Sequence, residues 1–478
     1  MRAILDNPAW SRRRLLKSAG ITVLAGMLPL PGTASPAAAQ DNGFRELRAR
    51  PGRVRLRGSQ APETAIWGYD GQVPGPLLRL KRGGELRVRL INELPEPTLI
   101  HWHGLRLPNA MDGVPHLTQQ PVEPGKSFDY RFIVPDAGTF WYHTHQYSSE
   151  QLERGLYGAL IVDELDPVPV DQDVVLILDD WRLTQTGAVD EASFRSPRDA
   201  AHAGRHGPLL TANSSSDFSI SIRPRARVRL RLINAANARV MPIRIPGQTA
   251  WVMALDGQPA EPFIARDSRV ILSPGARADL FLDMPETGHL PVVIEDMRSE
   301  TTVARLVAEG APAQPRPEPA PLPANPLPTR IDLRNALRID MPIEGGAMSE
   351  LLMKRLRDGM EIPGHGIDPA ARFWTLSGQA SSGHHGPPLF SVRRGRAVTV
   401  AFRNNTAFPH GMHLHGHHFR LLDNLDDGWK PFWLDTVLVL PRQTARIAFV
   451  ADNPGKWMIH CHMLEHQETG MAAWFEVT

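Results

Sequence analysis

Three stretches of this chain repeat one pattern, and the repetition restricts the fold more than any other feature. Leu80 to Asn92 (LKRGGELRVRLIN), Ile222 to Asn234 (IRPRARVRLRLIN) and Val392 to Asn404 (VRRGRAVTVAFRN) each run through β-prone residues to an Asn. Three copies imply three related domains, and 478 residues suffice for three cores of ordinary size. With 44 Pro and 39 Gly but only 22% charged residues, the chain reads as turn-rich and all-β, not disordered or coiled-coil. The expected domains are 40–165, 166–310 and 373–478. Between the last two, 311–372 reads as an exposed proline-rich linker followed by a short amphipathic helix at Ser349 to Arg357.

Counting onward from each Asn turns the repeat into chemistry. The ninth and eleventh residues are His101 and His103 in the first copy, His413 and His415 in the third, but Ile243 and Ile245 in the second. Later in each copy a Gly stands five residues before another pair: His143 and His145, then His460 and His462, against Val293 and Glu295 in the middle copy. The middle copy is an internal control, because it shows that the scaffold itself does not require histidine at these positions.

Alternate side chains of a strand share a face, so each His-x-His pair presents both imidazoles together. Eight imidazoles are too many for one ion and suggest a cluster of about three between the first and third domains.

Cys461, the only cysteine, lies inside His460-Cys461-His462 and faces the opposite way. A lone cysteine is more often a small buried hydrophobe than a ligand. Here, however, His466 and Met471 follow in the same loop, and His410 has strand parity opposite to His413 and His415. A thiolate, two imidazoles and a weak thioether select copper in a blue electron-transfer site. The first domain has Thr98, Thr144 and Ser149 in place of His410, Cys461 and His466, so only the third domain builds such a site.

These four motifs, in order along the mature length, resemble the three-domain multicopper oxidases of the laccase type. The resemblance implies three cupredoxin-like Greek-key β-sandwich domains and four copper ions. Type 1 copper falls to His410, Cys461, His466 and Met471, and type 2 to His101 and His413. The type 3 pair falls to His103, His143, His145, His415, His460 and His462. It further implies that electrons pass from Cys461 to His460 and His462, and that four of them reduce dioxygen to water. Asp112 matches an acidic position near type 2 copper that delivers protons. A second acid often follows the last type 1 histidine, where this chain has Gln467; Glu468, one residue later, is the candidate in its place.

Small aromatic reductants, phenols and aromatic amines, are expected to give electrons at His466 on the rim of the type 1 site, with Phe408 nearby. Cu(I) is the alternative reductant, suggested by Met341, Met348, Met353 and Met360. Met348 and Met353 nevertheless share an apolar helix face with Leu352 and Leu356, which fits packing as well. A non-enzymatic envelope scaffold or copper store is a further class, disfavoured because every ligand is present. His365, His384, His385, His417 and His418 read as solvated or structural.

Residues 1–39 read as a cleaved twin-arginine leader: Arg12-Arg13-Arg14, an apolar run from Ile21 to Leu30, then Ala37-Ala38-Ala39. The run is too short to be a stable membrane anchor. The twin-arginine export machinery would deliver folded cargo to the periplasm or cell exterior. Losing five basic residues and one acidic residue takes the formal charge from +2 to −2. No mature basic stretch carries the stacking aromatics expected of a nucleic-acid binder.

Overall fold

A computed structural model describes residues 43–296, 299–347, 372–383, 386–422 and 429–478. The leader, the expected helix with Met348, Met353 and Met360, and His365, His384 and His385 lie outside the described residues.

Each repeat forms a central strand with equivalent neighbours. Glu85–Asn92 pairs in parallel with Arg45–Val54 and antiparallel with Ser127–Ile133. Arg227–Asn234 lies likewise between Gln172–Trp181 and Arg277–Asp283, and Ala397–Asn404 between Leu337–Gly345 and Thr444–Val450. Each domain adds a second sheet, giving three cupredoxin-like sandwiches, each closed over its own apolar core.

The repeated asparagines have a common task. Asn92, Asn234 and Asn404 are buried, and each donates its amide to two backbone carbonyls: Glu96 and Val122, Arg239 and Leu272, Phe408 and Val439. Each also accepts the amide of the residue two positions on. Strand end, turn and opposite sheet are thereby locked together, which fixes how far beyond the Asn the next strand begins. That is why the residue count onward from Asn carries over between domains.

The middle copy buries its arginines as well as its apolar face. Arg229 meets Glu164 and Asp279, and Arg231 meets Asp173, Asp279 and Thr139 of the first domain. A face that would be solvated in an isolated domain is here an interdomain ion network.

The proline-rich stretch is mostly exposed and without regular secondary structure, as its composition implies, and it is pinned to the sandwiches at a few points: buried Asn325 bonds both backbone groups of Ala137 and the side chain of Gln258, and Arg227 donates to Pro317 O. Contrary to expectation, Leu337–Gly345, inside the segment read as linker and helix, is a strand of the third domain's sheet. Without a recognisable repeat of its own, that strand was hidden among prolines.

Candidate metal centre

Register brings the histidines together. His101 pairs directly with His143 across antiparallel strands His101–His103 and Gly138–His143, and His413 pairs with His460 across His410–Leu414 and Gly455–Cys461. Residues opposite one another in this way hold their Cβ atoms about 5 Å apart. The two halves meet face to face: His103 stacks on His413 with ring centroids 3.8 Å apart, and His101 on His415 at 4.0 Å. Ligand atoms gather within 4.8 Å of one another in His101, His103 and His413; in His103, His143 and His462; and in His145, His415 and His460.

The nitrogens fit metal ligation. Nε2 of His101, His143, His145 and His413, and Nδ1 of His103, are buried without a hydrogen-bond partner. The opposite nitrogens are anchored: Nδ1 of His101 to Asp112 O at 2.7 Å, of His143 to Thr144 O at 2.8 Å, of His413 to Asp435 O at 2.9 Å and of His460 to Cys461 O at 2.9 Å. A carbonyl accepts only from N–H, so the proton sits on the anchored nitrogen and the inward one keeps its lone pair. Burial first, and charge crowding next, hold His143, His145, His415, His460 and His462 well below the usual imidazole range, so they stay neutral. His415 and His460 point Nε2 at each other across 3.1 Å, a contact that a shared ion satisfies.

On the other face of the strand, Cys461 Sγ lies 3.7 Å from His410 Nδ1 and 3.8 Å from His466 Nδ1, and the two nitrogens are 3.2 Å apart. Metal–nitrogen and metal–sulfur bonds of about 2.0 and 2.3 Å let one ion span that triangle. Met471 shares the buried core with Cys461. His410 Nε2 is tied to Thr406 Oγ1 at 2.8 Å. In the first domain the equivalent Thr98 and Thr144 hydroxyls both donate to Gln151 Oε1 instead.

In the middle domain, Ile243, Ile245 and Val293 are buried apolar residues, and Glu295 pairs with Arg244 and Arg269. Asp112 is buried, with Oδ2 at 2.9 Å from His415 Nδ1 and Oδ1 at 3.3 Å from His101 Nδ1.

Other residues stand elsewhere than expected. Glu468 commits both carboxylate oxygens to the Ser149 amide and hydroxyl, away from the histidine groups. Gln467 lies beside the cluster, its amide 3.4 Å from His145 Nδ1. In the short helix Leu464–Glu468, adjacent residues diverge by about 100° and so face different partners. His466 is not on a rim: it is fully buried, and its Nε2 donates to the His202 carbonyl at 2.8 Å. The loop after the helix Pro197–Ala201, from the middle domain, covers it. His417 and His418 are buried, which fits the structural one of the two roles expected for them, with His418 Nε2 at 3.6 Å from Asp435 Oδ2. Asp435, bonded to Arg277 and close to His103, is a residue that sequence spacing does not reveal.

Three profiles described as multicopper oxidase match residues 52–166, 172–310 and 365–478. The chain belongs to the multicopper oxidase family. It is 31% identical to multicopper oxidase MmcO of Mycobacterium tuberculosis, over 89% of this chain and 85% of that one. Among solved structures it resembles the multi-copper oxidase of Pseudomonas thermotolerans, with TM-score 0.80 and 37% identity over 91% and 99% of the two chains. Lac15 from a marine microbial metagenome follows, with TM-score 0.72 and 35% identity over 90% and 99%.

Proposed function

We propose that this oxidoreductase couples one-electron oxidation of phenols and aromatic amines to four-electron reduction of dioxygen. The observation that carries the reading is the single strand Gly455–Cys461 and its continuation, which places Cys461 in one ligand group and His460 and His462 in two others. Copper, when bound, supplies electron acceptance at Cys461 and reduction of dioxygen to water at the cluster. His410, Cys461 and His466, with Met471, would hold type 1 copper, and His101 and His413 would hold type 2. His103, His143 and His462 would hold one type 3 ion, and His145, His415 and His460 the other. A thioether ligand from Met471 would favour a moderate potential.

Cys461 is joined to His460 and to His462 by one peptide each, and His460 Nδ1 donates to the Cys461 carbonyl, so covalent and hydrogen-bonded routes run in parallel. Asp112 Oδ1 is buried without a hydrogen-bond partner and is the atom that carries a proton toward dioxygen. With Glu468 turned to Ser149, Asp112 takes the proton role alone among the two candidates.

A cavity of about 190 Å³, lined by Ala203, His206, Arg239, Val240, Pro409 and Met463, adjoins the type 1 ligands, since Pro409 precedes His410 and Met463 follows His462. It is small for a ligand pocket and suits a single-ring reductant. Electrons then enter through the His202 carbonyl bonded to His466 rather than through an open rim. Among the four methionines suggesting Cu(I), Met341 is fully buried in the third core and serves packing. Among the described residues no helix is long and apolar enough to cross a membrane, and we infer export in folded form through the twin-arginine route to the periplasm or beyond.

Steady-state oxidation of a phenol and of Cu(I), each with and without added Cu(II), tests the reading. Phenol turnover without added Cu(II) is expected. Turnover that needs excess copper would replace this assignment with a cuprous-ion oxidase.

A further inference from the structure

Among its described residues the middle domain contributes to none of the ligand groups, yet it reaches the cluster. Arg277 is fully buried and grips Asp435 of the third domain with two bonds, Nη1 to Oδ1 at 2.8 Å and Nη2 to Oδ2 at 2.6 Å. Asp435 Oδ1 also accepts from Thr436 Oγ1 at 2.8 Å and lies 3.3 Å from His103 Nε2. Its backbone carbonyl accepts from His413 Nδ1. Asp256, again of the middle domain, accepts the backbone amides of Asp435 and Thr436 at 3.1 Å each, and that of Arg277 at 3.0 Å. Side chain and backbone of Asp435 are therefore both fixed from the middle domain.

His103 differs from its neighbours. His101, His143, His145 and His413 leave Nε2 without a partner, whereas His103 leaves Nδ1. The nitrogen that holds the proton decides which nitrogen can ligate, and the Asp435 carboxylate favours N–H at Nε2. The guanidinium fork matches a carboxylate at both oxygens and never loses its charge, so Asp435 is kept as an oriented acceptor. Gly275 stands against the same rings: with φ of +83°, it occupies a place where a Cβ would lie 2.8 Å from His462 Cδ2 and 3.0 Å from His103 Cε1.

We propose that Arg277 and Asp435 are a positioning pair for the trinuclear site, through which the ligand-free middle domain sets the tautomer of His103 and the seating of His413. The proposal rests on the copper assignment above. Failure of that assignment shows separately, as a wild-type protein without a blue band.

The test is the double substitution Arg277→Met with Asp435→Leu in the copper-loaded full chain, which removes both charges of the pair together, while Asp256, 3.5 Å from Arg277 Nη1, keeps the three backbone amides it accepts. Blue absorption reports folding and type 1 loading. Copper per chain under chelator competition and the non-blue paramagnetic resonance signal report the cluster. The expected result is a retained blue band, cluster copper affinity lowered about 10- to 100-fold, and an altered or lost non-blue signal. Wild-type affinity and signal in this variant overturn the proposal. If the double variant gives no blue protein, Asp435→Asn decides, since it keeps an acceptor oxygen for His103 and loses only the charge. A smaller loss in the same direction supports the pair, and a wild-type spectrum overturns it.

Discussion

Cys461→Ser is expected to abolish the blue colour and the oxidation of every reductant while leaving the fold intact. The hydroxyl fits the fully buried site and finds a donor in the Met463 amide, which already lies 3.4 Å from Sγ. The stability cost is therefore at most about 1–3 kcal/mol, that of an imperfectly satisfied buried polar group. What is lost is the thiolate, the soft anionic ligand in the triangle with His410 and His466. Absorbance, turnover and the thermal midpoint measured on one preparation check this; persisting turnover would refute the assigned electron path. Copper uptake by the metal-free protein carries a related signature. Burial pushes the Cys461 thiol up to about 12 and the His466 imidazole down to about 3. Between those values the thiol is protonated and the imidazole neutral, so binding displaces one proton, from sulfur. Type 1 copper affinity should rise about tenfold per pH unit in that window, as measured by chelator competition, and a flat profile would count against a ligating Cys461.

The second large effect is at Asp112. Asp112→Asn preserves volume and can still accept at Oδ1, but its amide cannot ionise or relay a proton, and turnover is expected to fall about 100-fold or more. Anaerobic bleaching of the blue band by reductant should keep its wild-type rate, because the type 1 group lies on the far face of the strand from the residues Asp112 touches, His101 and His415. A wild-type kcat, or a slowed anaerobic bleaching, would remove Asp112 from proton delivery.

The histidine pairs were legible because period and register are local properties, and because the buried asparagines hold the count constant between domains. Ile243, Ile245 and Val293 made the contrast readable within one chain. Asp435 was not legible in the same way: its partners His103 and Arg277 lie far off in sequence and in other domains. The available signal was an acid inside the apolar run Trp433-Leu434-Asp435-Thr436-Val437, which must be paired if buried. The burial of His466 depends on a loop from the middle domain, and the turn of Glu468 toward Ser149 depends on helical phase. Neither follows from spacing along one strand.

Two of the histidine triads each mix residues from the first and third sandwiches: His103 and His143 with His462, and His145 with His415 and His460. An ion bound in either triad would thus be a staple between distant parts of the chain, with its full ligand set assembled only once both parts have folded and docked. Metal loading would then double as proofreading of assembly, since a molecule whose domains are misplaced lacks complete triads.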